Sequence, residues 1–250
     1  MTTTLSFPPY SLRETRTGAG TPVVLLHGLS GSSRWWSRNI DALAAQHLVA
    51  AFDLPRFLPS FGETTALLAR WLETFGEPVH LIGHSMGGQI AIALAAERPD
   101  LVRSLILVNA AGMPFKLDPR PHVRAVPHFP YGGASIARVL VPDFLRTGPA
   151  SVAVSGARVM RGDMRAWMHA IRAPALLVWG ENDPLVPLVY GQAMQQEIAG
   201  SRLVSIPGAA HVAMWDTPSE FNSLALSFLS EAESLPLPAL APVFSWGLSG

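Results

Sequence analysis

Cysteine is absent from this chain of 250 residues, which excludes disulfides, thiol nucleophiles and cysteine-ligated metals. Charge of one sign is equally lacking. The formal net charge is zero and no basic block occurs, so a nucleic-acid partner is not expected. Lysine appears only at Lys116, the remaining cations being arginines. No uninterrupted apolar run is long enough to span a bilayer, so no membrane span is expected. The N-terminal stretch MTTTLSFPPYSLRETRTG lacks a cationic start followed by an apolar run. No signal peptide is therefore expected, and a cytoplasmic location is. The eight histidines are scattered and have no cysteine partners, so neither a metal nor a cofactor is expected. What the chain has in quantity is apolar residues, 49% of the total, enough for one large core.

Short apolar runs alternate with helical patterns along the chain. PVVLL (Pro22–Leu26), His47–Phe52, Val79–Ile82, SLILV (Ser104–Val108), ALLVW (Ala175–Trp179) and Arg202–Ile206 read as strands. One or two edge strands are expected within Leu5–Arg16, broken at Pro8-Pro9. Helices are expected from Ser33 through Leu43, over Thr64–Phe75, Gln89–Glu97, Pro187–Ile198 and Pro218–Ala232. This alternation predicts an α/β fold with a mostly parallel, doubly wound sheet. Core segments are expected at 1–112 and 172–233. Residues 113–171, rich in Pro, Arg and Gly with helical patches, break the alternation and read as a small helical cap insertion. Residues 234–250 form a Pro-rich tail.

In such sheets ligands bind beyond the carboxyl ends of the strands. The richest of these ends is PVHLIGHSMGG, Pro78–Gly88, where strand, corner and helix meet at Gly83-His84-Ser85-Met86-Gly87. This G-x-S-x-G lifts a serine hydroxyl clear of the backbone, and the glycines leave room where strand and helix come close. Taken alone, the pattern also describes an ordinary glycine-rich turn with a helix-capping serine. A serine nucleophile needs an imidazole to take its proton and a carboxylate to orient that imidazole. Asp183, in GENDP after the fifth of the strands from Pro22 onward, and His211, in IPGAAH after the last, supply both in the order Ser, acid, His. Glu181 competes for the acid role.

With HGLSGSSRWW, DLP, GHSMGG, WGENDPLVP and GAAHVAMWDTPSEF in view, the chain resembles the α/β-hydrolase superfamily, near its esterase, lactonase and C–C hydrolase branches. The resemblance spans about Thr21 to Glu231. It implies Ser85 as nucleophile, Asp183 as acid and His211 as base. It further implies an oxyanion hole from the backbone N–H groups of Leu29 and Met86, a structural role for His27, and His84 lining the elbow. Serine at position 85 sets the chain apart from relatives with an aspartate nucleophile. The family commonly continues Asp-Leu-Pro with Gly-x-Gly, whereas Arg56 follows Pro55 here, and the stretch before the elbow is short.

The expected activity is hydrolysis of a small-molecule carboxylic ester, thioester or lactone through an acyl-enzyme on Ser85. C–C bond hydrolysis or acyl transfer on the same three residues is the alternative, and a non-catalytic ligand-binding role is a third. Trp35, Met113, Phe115, Val212 and Trp215 are expected in an apolar substrate pocket, with Arg34, Arg56 and Arg120 as cations that could recognise a carboxylate.

Overall fold

The computed structural model describes residues 2–7, 10–54, 60–114 and 133–237. Eight strands form one sheet: β1 (Thr2–Phe7), β2 (Tyr10–Thr17), β3 (Pro22–Leu26), β4 (Leu48–Asp53), β5 (Val79–His84), β6 (Val102–Val108), β7 (Ala175–Gly180) and β8 (Arg202–Ile206). Their order is β1-β2-β4-β3-β5-β6-β7-β8. β1 and β2 run antiparallel, and every pairing from β4 through β8 is parallel.

Nine helices accompany the sheet among the described residues: α1 (Ile40–Ala44), α2 (Phe61–Leu72), α3 (Met86–Glu97), α4 (Gly133–Thr147), α5 (Pro149–Arg161), α6 (Arg165–Ala170), α7 (Leu188–Glu197), α8 (Ala213–Asp216) and α9 (Pro218–Ser234). None of the described helices is long and apolar enough to cross a membrane.

β3 and β7 are apolar throughout because both faces of the sheet are covered there. In β3, Val24 and Leu26 face a core layer with α2, α3, α6 and α7, while Val23 and Leu25 face a second layer with α1, α8 and α9. That is the period-two alternation of a strand read on two buried faces. The chain passes from β3 to β4 on one side and returns to β5 on the other side of β3. The loops after β3 and β5 therefore diverge from a topological switch point, where an open α/β sheet leaves a crevice.

Local differences from the sequence pattern have identifiable causes. The segment read as one helix from Ser33 to Leu43 is a 3-10 turn, Ser33–Trp36, followed by the short α1. Asn39 separates them. It is fully buried, and its side-chain amide donates to the Met214 carbonyl and to Asn222 Oδ1 instead of facing solvent on a helix. Helix α2 begins at Phe61, ahead of the expected Thr64, because Ser60 and Glu63 close a reciprocal capping box. The pattern over Ala150–Met168 splits into α5 and α6 at Gly162-Asp163-Met164. Of the insertion expected at 113–171, residues 115–132 lie outside the described residues. Its last helix, α6, packs on α3 with Met164 and Met168 in the core layer. The tail expected at 234–250 is described only to Leu237.

Candidate active site

Ser85 stands between β5 and α3 with φ 52° and ψ −118°, a conformation rare for a residue with a side chain. The surrounding glycines explain how the corner closes. A Cβ on Gly83 would lie 2.5 Å from the Gly87 carbonyl oxygen, and one on Gly87 would lie 2.4 Å from that of Leu26. Both obstacles are backbone, which cannot move aside. The turn is tied down by three N–H groups, of Gly88, Gln89 and Ala111, that donate to the Ser85 carbonyl.

The three residues that the sequence places after β5, β7 and β8 come together. His211 Nε2 lies 3.1 Å from Ser85 Oγ, and His211 Nδ1 lies 2.8 Å from Asp183 Oδ2. Asp183 is buried and its other oxygen accepts the N–H groups of Leu185 and Val186 at 2.8 and 2.9 Å. A carboxylate so held accepts from His211 Nδ1–H, which leaves Nε2 as the basic nitrogen facing the serine. Glu181, the competing acid, is exposed. Asp216 fixes the loop from the far side by accepting the Ala210 N–H at 2.9 Å. Burial pushes its carboxyl above the usual range against that hydrogen bond.

Asn109 was not assigned a role by the sequence pattern. It follows β6 at φ 44°, is fully buried, and its amide donates to Asp183 Oδ2 at 2.6 Å. Its own carbonyl oxygen accepts the Gly180 N–H at 3.3 Å. The signal available was its place at the end of a central strand, together with the tolerance of asparagine for the left-handed region.

Two further histidines surround the elbow, both uncharged by virtue of burial. His27 donates from Nδ1 to the Gly28 carbonyl at 2.7 Å and accepts the Leu54 N–H at Nε2, 3.0 Å away. Both nitrogens are thus used by the neutral ring. Burial lowers its pKa, the Gly28 contact opposing. His84 donates from Nε2 to the His211 carbonyl at 2.8 Å, between the rings of Trp35 and His211. Burial and then the nearby His211 hold it well below the ordinary histidine value.

Leu29, Ser30, Trp35, Ser85, Ala111, Val186 and His211 line a cavity of about 420 Å³, closed from above by Gly156, Val159 and Met160 of α5. A Cβ at Gly156 would sit 3.3 Å from the end of the Leu29 side chain, a close contact across the cavity. Of the expected pocket residues, Trp35 lines this cavity. Val212 and Trp215 pack instead in the α1–α9 core layer, because the short α8 turns them toward the sheet. Met113 is half-buried against the other layer. Phe115, Arg56 and Arg120 lie outside the described residues. Arg34 is paired with Asp143 at 2.6 Å and does not present a free guanidinium to the cavity.

Met86 is the first residue of α3, so its N–H has no partner inside the helix and lies at the positive end of the helix dipole. Leu29 follows Gly28 in the facing loop.

A serine on a strained strand–helix corner, backed by a histidine and a carboxylate from two later strand ends, belongs to the α/β-hydrolase architecture. The chain is a member of the alpha/beta hydrolase family, whose sequence profile matches residues 23–224. It is 30% identical, over 86% of its length and 94% of the other protein, to RutD of Azorhizobium caulinodans, provisionally named a carbamate hydrolase. It is 27% identical to the pimeloyl-[acyl-carrier protein] methyl ester esterase of Nitrosomonas europaea, over 83% of this chain and 95% of that one. The enol-lactonase of Burkholderia xenovorans superposes with a TM-score of 0.78 at 21% identity, covering 91% of this chain and all of the other. The named sequence relatives are hydrolases, and hydrolysis is the general activity this kinship supports.

Proposed function

We propose that the protein is a serine hydrolase of uncharged carboxylic esters, acting through an acyl-enzyme on Ser85. The observation that carries this reading is the hydrogen-bonded line Ser85–His211–Asp183 at the floor of a mostly apolar cavity. In the proposed mechanism His211 Nε2 takes the Ser85 proton as Oγ attacks the ester carbonyl. The N–H groups of Leu29 and Met86 stabilise the tetrahedral oxyanion. His211 then protonates the leaving alcohol, and water repeats the cycle on the acyl-enzyme. Asp183 fixes the His211 tautomer and stabilises the imidazolium.

The apolar lining favours a short or medium uncharged acyl group. The methyl ester esterase among the relatives is consistent with an ester substrate. Helices α4 and α5 form the cap in this reading, and α6 belongs with the core.

Hydrolysis of p-nitrophenyl acetate and butyrate by the wild type and Ser85→Ala tests the reading, with mass spectrometry after a fluorophosphonate probe. Turnover and a single covalent label in the wild type, both lost in Ser85→Ala, are expected. A label without turnover would replace hydrolysis by transfer or C–C cleavage. Neither label nor turnover would overturn the reading.

A further inference from the structure

At the opposite edge of the sheet from Ser85, three side chains distant in sequence converge. His47 precedes β4, His80 is the second residue of β5, and Glu233 is near the end of α9. Their ligand atoms all lie within 4.8 Å of one another. Glu233 Oε1 is 3.5 Å from Nε2 of each histidine.

The local structure aims these atoms inward. The β5–β6 register shifts between Val79 and His80, so that His80 pairs with Ser104 and Arg103 is left over. Such a bulge re-aims the side chain beside it. Here it brings His80 Nδ1 to 2.7 Å from Ser104 Oγ. His47 Nδ1 faces the Leu43 carbonyl at 3.4 Å, and a carbonyl only accepts, so Nδ1 carries the proton. The His47 Nε2 lone pair therefore points at the carboxylate. His80 is fully buried, and its Nε2 makes no hydrogen bond. In the tautomer in which Ser104 accepts from Nδ1, Nε2 also presents a lone pair.

With both rings protonated at Nδ1, two lone pairs and a carboxylate oxygen converge within 4.8 Å, an arrangement that a cation among them stabilises. We propose that His47, His80 and Glu233 form a binding site for a zinc-class divalent ion, which ties the end of α9 to the starting edge of β4 and β5.

Several features fit. Tetrahedral ligands on zinc lie about 3.3 Å apart, close to both histidine–carboxylate separations. Two imidazoles and a carboxylate suit zinc and its neighbours and do not suit magnesium or calcium. Each ring is oriented through its second nitrogen, as metal-ligating histidines are. The Arg103 guanidinium, which donates to the Glu233 backbone carbonyl at 2.9 Å, is a nearby charge that disfavours a cation.

The experiment is equilibrium dialysis of the EDTA-stripped full chain against zinc chloride, with metal quantified per chain and thermal unfolding followed in parallel. The wild type is expected to bind one zinc and to unfold at a higher temperature when loaded. Glu233→Gln changes a partly exposed side chain at a helix end and is expected to fold, to bind zinc at least roughly ten-fold more weakly, and to lose the thermal shift. His47→Gln should behave alike. His211→Ala should bind as the wild type does, which separates this site from zinc captured at the Ser85 site. No stoichiometric binding by the wild type would overturn the proposal, leaving an ion-pair cluster. Undiminished binding by both Glu233→Gln and His47→Gln would equally overturn it, because the metal would then be held elsewhere.

Discussion

Ser85 combines two demands that oppose each other. Its hydroxyl must clear the backbone to face His211, and the corner that achieves this puts a residue with a Cβ at φ 52°. Strain of this kind costs about 1–3 kcal/mol and persists where the surroundings enforce it. The comparison that isolates it is Ser85→Gly against Ser85→Ala, since both lose the hydroxyl and only glycine loses the Cβ. Glycine ordinarily destabilises by about 0.5–1 kcal/mol relative to alanine. Here the order is expected to reverse, with Ser85→Gly melting about 2–4 °C above Ser85→Ala, the shift for roughly 1 kcal/mol in a chain of this size. A higher melting temperature for Ser85→Ala would show that the corner stores no strain. On the proposed mechanism both variants are inactive.

Among the elements, α4 has the clearest hold on the site. Its Asp143 is fully buried and accepts Ser32 Oγ at 2.7 Å, Trp35 Nε1 at 3.1 Å and Arg34 Nη2 at 2.6 Å. Arg146, one turn on, donates to the Gly31 carbonyl at 2.8 Å. The loop that carries Leu29 is thus pinned from above by one helix. Asp143→Ala leaves two buried donors, of Ser32 and Trp35, without their acceptor, whereas half-exposed Arg34 regains water. A loss of about 2–3 kcal/mol in urea denaturation is expected. If Leu29 N–H is an oxyanion donor, kcat for the ester should fall about ten-fold or more with little change in KM. Asp143→Asn, which keeps an acceptor, should recover part of both. Loss of stability with unaltered kcat would confine α4 to a structural role. None of this was legible in the sequence, where Asp143 is one polar residue of the segment read as an insertion and its partners lie more than a hundred positions away. Strands β3 and β7 were legible because they are buried on both faces and read as unbroken apolar runs, and β5 and β6 by their shorter runs Leu81-Ile82 and Leu105–Val108. Ser85, Asp183 and His211 could be singled out because each lies in the loop just beyond a strand, β5, β7 and β8 respectively. Val212 and Trp215 were misplaced in the pocket because nothing in the pattern distinguishes an apolar side chain facing a cavity from one facing the sheet. The four-residue α8 that decides the matter is too short to announce itself by periodicity.

At the scale of the whole molecule, the switch point between β3 and β5 gathers charge-bearing groups into a dry region, and stability inherits that arrangement. His27 and His84 are both buried there with pKa values lowered by burial, so the folded chain keeps them neutral. In the unfolded chain each titrates near 6.5. Below that pH the unfolded state binds more protons, so stability is complete above about pH 6.5 and declines as pH falls. Both rings therefore draw stability down between pH 7.5 and pH 5.5, a window in which ordinary carboxylates remain ionised, and His80, lowered to about 4 by burial, adds to the fall. The raised carboxyl of Asp216 acts in the opposite sense, taking up its proton first in the folded state. Urea unfolding of the EDTA-treated chain at pH 7.5, 6.5 and 5.5, at fixed ionic strength, reads the sum. The expected profile is flat from pH 7.5 to about 7 and falls thereafter. His84→Gln, which retains a donor for the His211 carbonyl and removes one titrating ring, should make the fall smaller by that ring's share. A profile that stays flat to pH 5.5 would mean that the elbow admits water and a proton to these rings. The field that His211 experiences beside Ser85 would then be that of a wet site.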